Sequence, residues 1–129
     1  MPVSKLLERI SQLQLGDAAG PAAGNYPSTR YHRALPISRV EDNVYFVSWI
    51  HQLLNRYKDL LTADDQTLLD CMNTKANQSI ARYRNRYGDI SYNFYRPKAW
   101  FPNGRMLSRF SVFQPTDDAD DSSIAYRGM

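Results

Sequence analysis

The sequence predicts an α+β protein with an N-terminal arm helix, an antiparallel helical hairpin and a C-terminal β-hairpin, the whole completed by oligomerisation. Three observations predict this class. Apolar residues recur at helical spacing through most of residues 39–87. Beyond Gly88 the period falls to two: Ile90, Tyr92 and Phe94 alternate with Ser91, Asn93 and Tyr95, and Phe110 and Val112 alternate with Arg109, Ser111 and Phe113. Between residues 16 and 36 there is no period at all, so the first fifteen residues stand apart from the rest.

Taken in order, Val3, Leu6, Leu7, Ile10 and Leu13 share a helical face, Pro2 suits a first turn, and Gly16 closes the arm helix of residues 1–15. Residues 16–36 are rich in glycine, proline and alanine and read as a flexible linker. A core domain follows over residues 37–115. Ser38 and Glu41 have the spacing of a capping box, which starts a helix near Arg39. Val40, Val44, Val47, Leu54 and Leu61 form one apolar stripe of that helix, and Phe46, Ile50, Leu53, Tyr57 and Leu60 form a second beside it. So wide an apolar surface predicts the central helix of the core. The rival reading of Val44–Ile50 as a buried strand loses to the upstream cap and the continuing helical period.

Thr62 and Asp65 cap the next helix, on which Leu69, Met72, Ala76, Ile80, Tyr83 and Tyr87 share a face, with Gly88 as its stop. The short turn between the two helices makes them antiparallel. Pro102-Asn103-Gly104 then supplies a reversal between two strands. Two strands alone are marginal in water, so the hairpin needs the helices or another subunit to cover it. Residues 116–129 form an acidic, disordered tail.

With 129 residues the chain suits one domain with a core of its own. Its longest run of aliphatic and aromatic residues, Val44–Val47, is far short of the about 20 residues needed to span a bilayer. Lys5, Glu8 and Arg9 interrupt the first segment, which therefore lacks the core of a secretory signal. The single cysteine, Cys71, can build neither an internal disulfide nor a thiolate metal site. These features predict a cytoplasmic protein, or one within a particle assembled inside the cell.

Charge is segregated along the chain. Residues 1–78 are neutral, residues 79–115 carry seven basic side chains against Asp89 for a balance of +6, and the tail carries −3. Lys75, Arg82 and Arg86 fall with Ser79 along one side of the second long helix. Arg105 and Arg109 share a side of the hairpin, Arg96 and Lys98 lie near its bend, and Tyr92, Tyr95 and Trp100 interleave with them. Cations that neutralise phosphates and flat rings that stack on bases together describe single-stranded nucleic-acid binding. The sequence thus predicts a non-catalytic, self-associating assembly protein of the coat, nucleoprotein or ribonucleoprotein type, contacting nucleic acid through an Arg/Tyr-rich face and partnering itself and other subunits. The alternative is a structural or adaptor subunit whose Arg/Tyr surface meets protein, since the same residue types dominate interface hot spots.

No phosphate-binding glycine loop and no metal-ligand spacing is present, so no cofactor or metal is expected. One pair bears on catalysis. With a helical turn near Thr62, His51 and Cys71 fall at comparable distances from the bend, where a base would activate a thiol. Both border apolar stripes and no third orienting residue accompanies them, so the ordinary outcome is a buried, hydrogen-bonded histidine and an inert thiol. The chain is read as no enzyme.

Overall fold

The computed structural model describes residues 3–31, 38–41, 43–84 and 91–92. Its framework is three α-helices: α1 (Val3–Leu13), α2 (Val44–Arg56) and α3 (Ala63–Ala81). Two 3-10 turns, Asp17–Ala22 and Lys58–Leu60, follow α1 and α2. Among the described residues no helix is long and apolar enough to cross a membrane.

The α+β class is corrected to a helical one. The described core consists of Leu7 from α1, Val44 and Val47 from α2, Leu69, Met72, Ala76 and Ile80 from α3, and Tyr26, Tyr83 and Tyr92 from the segments beside them. Among the described residues, extended pairing beyond one isolated bridge is confined to four residues on each side, β1 (Ser28–Tyr31) against β2 (Ser38–Glu41), antiparallel with Ser28 opposite Glu41. A pair this short makes no sheet layer. Of the β-hairpin expected over residues 90–113 only Ser91 and Tyr92 are described: Tyr92 makes one isolated antiparallel bridge, to Arg84, and buries its ring in the helical core. Positions 93–113, like the acidic tail, lie outside the described residues.

Two helix boundaries also differ from expectation. The Ser38/Glu41 box does not start a helix, because residues 38–41 give their backbone to the pairing with β1. The start moves to Asn43, whose side-chain oxygen accepts from the Phe46 amide at 3.2 Å. Asparagine caps as well as serine does, so the local choice falls to whichever site is free of other pairing. At the far end α3 stops at Ala81, not near Gly88; the Arg82 amide turns back onto Ser79 and Ile80 as the C-cap. Thr62 does cap α3, accepting from the Asp65 amide at 3.3 Å, and its hydroxyl donates to the Asp65 carboxylate at 2.9 Å.

The helix at the centre is α3, against which both α1 and α2 pack. Its buried positions Leu69, Met72, Ala76 and Ile80 recur at three and four residues, the spacing of one helical face. Contacts from α2 and the turn after it to α3 run in opposite chain directions, His51 to Asn73 and Lys58 to Asp70, so the two helices are antiparallel. α1 is fastened to the start of α3 by Ser4, whose hydroxyl donates to Asp65 at 2.7 Å.

Part of the stretch read as a linker is packed onto α3. The Gly24 amide donates to the Leu15 carbonyl at 2.7 Å and the Leu15 amide to the Asn25 carbonyl at 2.8 Å, closing a small loop. The Gln14 side chain donates to both Gly24 and Met72 carbonyls at 3.0 Å, tying that loop to α3. Asn25 is fully buried and donates to the Tyr83 hydroxyl at 2.6 Å. Glycine and proline removed the helical period here, but they also let the backbone lie close to a helix.

Candidate functional site

Three of the residues read as a nucleic-acid or partner surface are described. Lys75 is exposed on α3. Arg82 is exposed at the C-cap of α3, and its guanidinium donates to the carbonyls of Pro21 at 3.1 Å and Ala23 at 2.7 Å. Tyr92 is only 4% exposed, so its ring is core and presents no face for a base to stack on. Arg86, Tyr95, Arg96, Lys98, Trp100, Arg105 and Arg109 lie outside the described residues. The stripe from Lys75 to Arg82 is interrupted as well: Ser79, which lies between them, is fully buried. Arg84, just after α3, is exposed.

His51 and Cys71 do not form a pair. Cys71 is exposed, whereas His51 is fully buried and both its ring nitrogens are engaged. Nδ1 lies 2.7 Å from the Asn73 side-chain oxygen, and Nε2 lies 3.2 Å from the Tyr26 hydroxyl. Asn73 and Asn55 exchange amide hydrogen bonds of 2.8 and 3.1 Å, which identifies the Asn73 oxygen as an acceptor. His51 therefore carries its proton on Nδ1 and accepts from Tyr26 at Nε2. Burial lowers the imidazole pKa, opposed by the hydrogen bond to Asn73, and burial raises the Tyr26 phenol. Both groups stay neutral near pH 7, and the node joins the 16–26 segment to α2 and α3. Among the described residues no group of three His, Cys, Asp or Glu side chains is placed to hold a metal.

The surface that sequence reasoning missed is on α2. Val44, Val47, Ser48 and His51 face inward. The opposite face carries Tyr45, Phe46, Trp49 and Leu53, exposed by 37, 42, 44 and 50%, and continues past the helix end to Tyr57 at 51% and Leu60 at 81%. The rings of Tyr45 and Phe46 meet edge to face at 5.8 Å, and Trp49 lies 6.3 Å from Tyr45. α2 is thus not the central helix: of its two apolar stripes, the one through Val44 and Val47 is buried, and the one through Phe46, Leu53, Tyr57 and Leu60 is largely open. The sequence signal was the width of the apolar surface. A helix apolar on two sides is buried on both or keeps one side for a partner.

Compared with protein-family models, with curated proteins and with solved structures, the chain finds no match in any of the three.

Proposed function

We propose that this chain is a non-catalytic structural or adaptor subunit that works through a protein–protein interface on the open face of α2. The observation that carries the reading is the continuous row of four aromatic rings and two leucines on that face, each more than a third exposed. Large apolar side chains scattered singly need no explanation, but a contiguous row of this length is the composition of an interface core. Tyrosine and tryptophan also anchor interfaces well, because they present large rigid area with few rotatable bonds. A photo-crosslinking residue placed at Trp49 of the full chain in its native cell is expected to yield protein adducts, and the same residue at the exposed Ala81 is expected to yield few. Absence of protein adducts at position 49 would overturn the reading.

A second reading keeps nucleic acid as a partner of the basic region. It is favoured by the charge balance of +6 over residues 79–115, with Arg82 and Arg84 exposed just past the end of α3, where that region begins, and Lys75 exposed on the helix itself. On this reading a single-stranded oligonucleotide binds with affinity that falls steeply with salt, and log K changes with log salt by about 0.7 per phosphate contact. Lys75→Gln and Arg84→Gln should each flatten that slope by about one contact, a change of roughly 0.7. Titrations by fluorescence anisotropy between low and physiological salt measure it. No binding at low salt removes nucleic acid as a partner.

A further inference from the structure

The open face of α2 has the dimensions and charge order of a surface that pairs with itself. We propose that two copies of this chain associate through antiparallel α2 helices, about a two-fold axis that passes between Trp49 and Leu53. This inference rests on the reading of the face as a protein interface and names its partner.

Area is the first argument. A whole aromatic side chain offers about 150–250 Å². On that scale the exposed parts of Tyr45, Phe46, Trp49, Leu53, Tyr57 and Leu60 come to roughly 600 Å² per chain. Stable interfaces bury about 800 Å² per partner, so this row with a polar rim of Gln52 and Arg56 reaches the size of a standard interface, whereas it lies at the upper limit of what a monomer leaves open.

Charge order is the second argument, and it selects the orientation. The C-terminal turn of α2 carries Arg56, which is exposed, and its first turn carries no acidic side chain. A parallel pair of α2 helices sets like dipole ends together and brings the two Arg56 side chains side by side. An antiparallel pair opposes unlike ends and also aligns the helix dipoles favourably.

The spacing of the row suits a two-fold axis. With the axis between Trp49 and Leu53, Trp49 of one chain meets Leu53 of the other, and Tyr45 meets Tyr57, so an indole lies against an aliphatic side chain at the centre and tyrosine against tyrosine on either side. Each chain uses the same patch, which is the condition for a closed dimer that leaves no free end to propagate. Every member lies on α2 or on the turn that ends it, so no rearrangement of the core is required.

The experiment is sedimentation of the full chain over micromolar to millimolar concentration, with three variants. The native chain is expected at twice its 14.9 kDa mass. Trp49→Glu combined with Leu53→Glu is expected to return a monomer with unchanged helical circular dichroism, because both side chains already face solvent in the single chain. Leu6→Glu, on the exposed side of α1, is expected to leave the dimer intact. Orientation is read in a Cys71→Ser background by mixing Tyr45→Cys and Tyr57→Cys chains with a short bis-maleimide: cross-links between unlike chains are expected to dominate. A native chain that stays monomeric throughout overturns the dimer, and protein adducts at position 49 in the cell would then show the interface reading surviving with a different partner. A dimer that persists in the glutamate double variant overturns the placement on α2. Cross-links between like chains overturn the antiparallel arrangement.

Discussion

Gly24→Ala is expected to destabilise the protein by about 3 kcal/mol or more and to lower its melting temperature by roughly 12 °C. Gly24 has φ of 82°, in the left-handed region that an L side chain enters only at a cost. A Cβ there would lie 2.2 Å from the Lys75 carbonyl oxygen and 2.8 Å from its carbon. Those atoms are backbone in the interior of α3 and cannot swing aside as a side chain would. Relief requires the loop to lift from the helix, and with it go the Gln14 bonds to Gly24 and Met72 and the burial of Asn25 and Tyr26. Gly20 separates the two contributions, because it also has positive φ, 58°, but meets nothing within 4 Å. Gly20→Ala, at a residue whose ψ of −122° lies outside the left-handed helical region, is expected to cost only the backbone strain, about 1–3 kcal/mol. Thermal unfolding followed by circular dichroism measures both, and equal effects would show that close approach to α3 is not what position 24 requires.

Acidification is expected to weaken the fold through His51. The imidazole is buried among α2, α3 and the ring of Tyr26, and desolvation lowers its pKa below the ordinary value of about 6.5. A group whose folded pKa lies below its unfolded one binds fewer protons when folded. Its contribution is therefore complete above the unfolded pKa and is lost as pH falls toward the folded one. Between pH 6.5 and that lower value, stability falls with a slope that approaches about 1.4 kcal/mol per pH unit, the effect of one proton. Protonation at Nε2 would also remove the lone pair that accepts from Tyr26. His51→Gln keeps one donor and one acceptor without a titrating ring, and is expected to flatten the pH dependence between 7.5 and 5 in urea unfolding. His32 and the carboxylates are common to both proteins and cancel in the difference. Equal slopes would count against His51 as the acid-sensitive group. His51→Ala, which leaves the Tyr26 hydroxyl without its acceptor and opens a cavity, is expected to cost about 3 kcal/mol at neutral pH.

What could be read from the sequence follows the range of the interaction responsible. Thr62 caps α3 through an amide three residues away, so the signal and the structure are the same short stretch. The Ser38/Glu41 box was equally local, yet it failed, because β1 lies ten residues earlier and claims that backbone first. The early end of α3 has the same origin: Arg84 bridges to Tyr92, and Arg82 reaches back to Pro21 and Ala23, contacts of long sequence separation that no helical period reports. Tyr92 carried two compatible roles in sequence, a stacking ring or a core ring, and only the surrounding packing distinguishes them.

The candidate site divides in the same way. The apolar width of α2 was plain in the order of its residues, because a helix places every third and fourth side chain on one side whatever surrounds it. Which side is covered was not, since that depends on what packs there: α3 covers Val44 and Val47, and the row from Tyr45 to Leu60 is left more than a third exposed. The amino-acid order by itself determined the charge segregation, the apolar faces of the helices and the cap at Thr62, all set by neighbours within a few residues. The tertiary structure alone decided that α3 is central, that Gly24 lies against its backbone and that His51 meets Tyr26 and Asn73. Those outcomes depend on side chains brought together from distant parts of the chain, where burial and hydrogen bonding outweigh the local preferences a sequence displays.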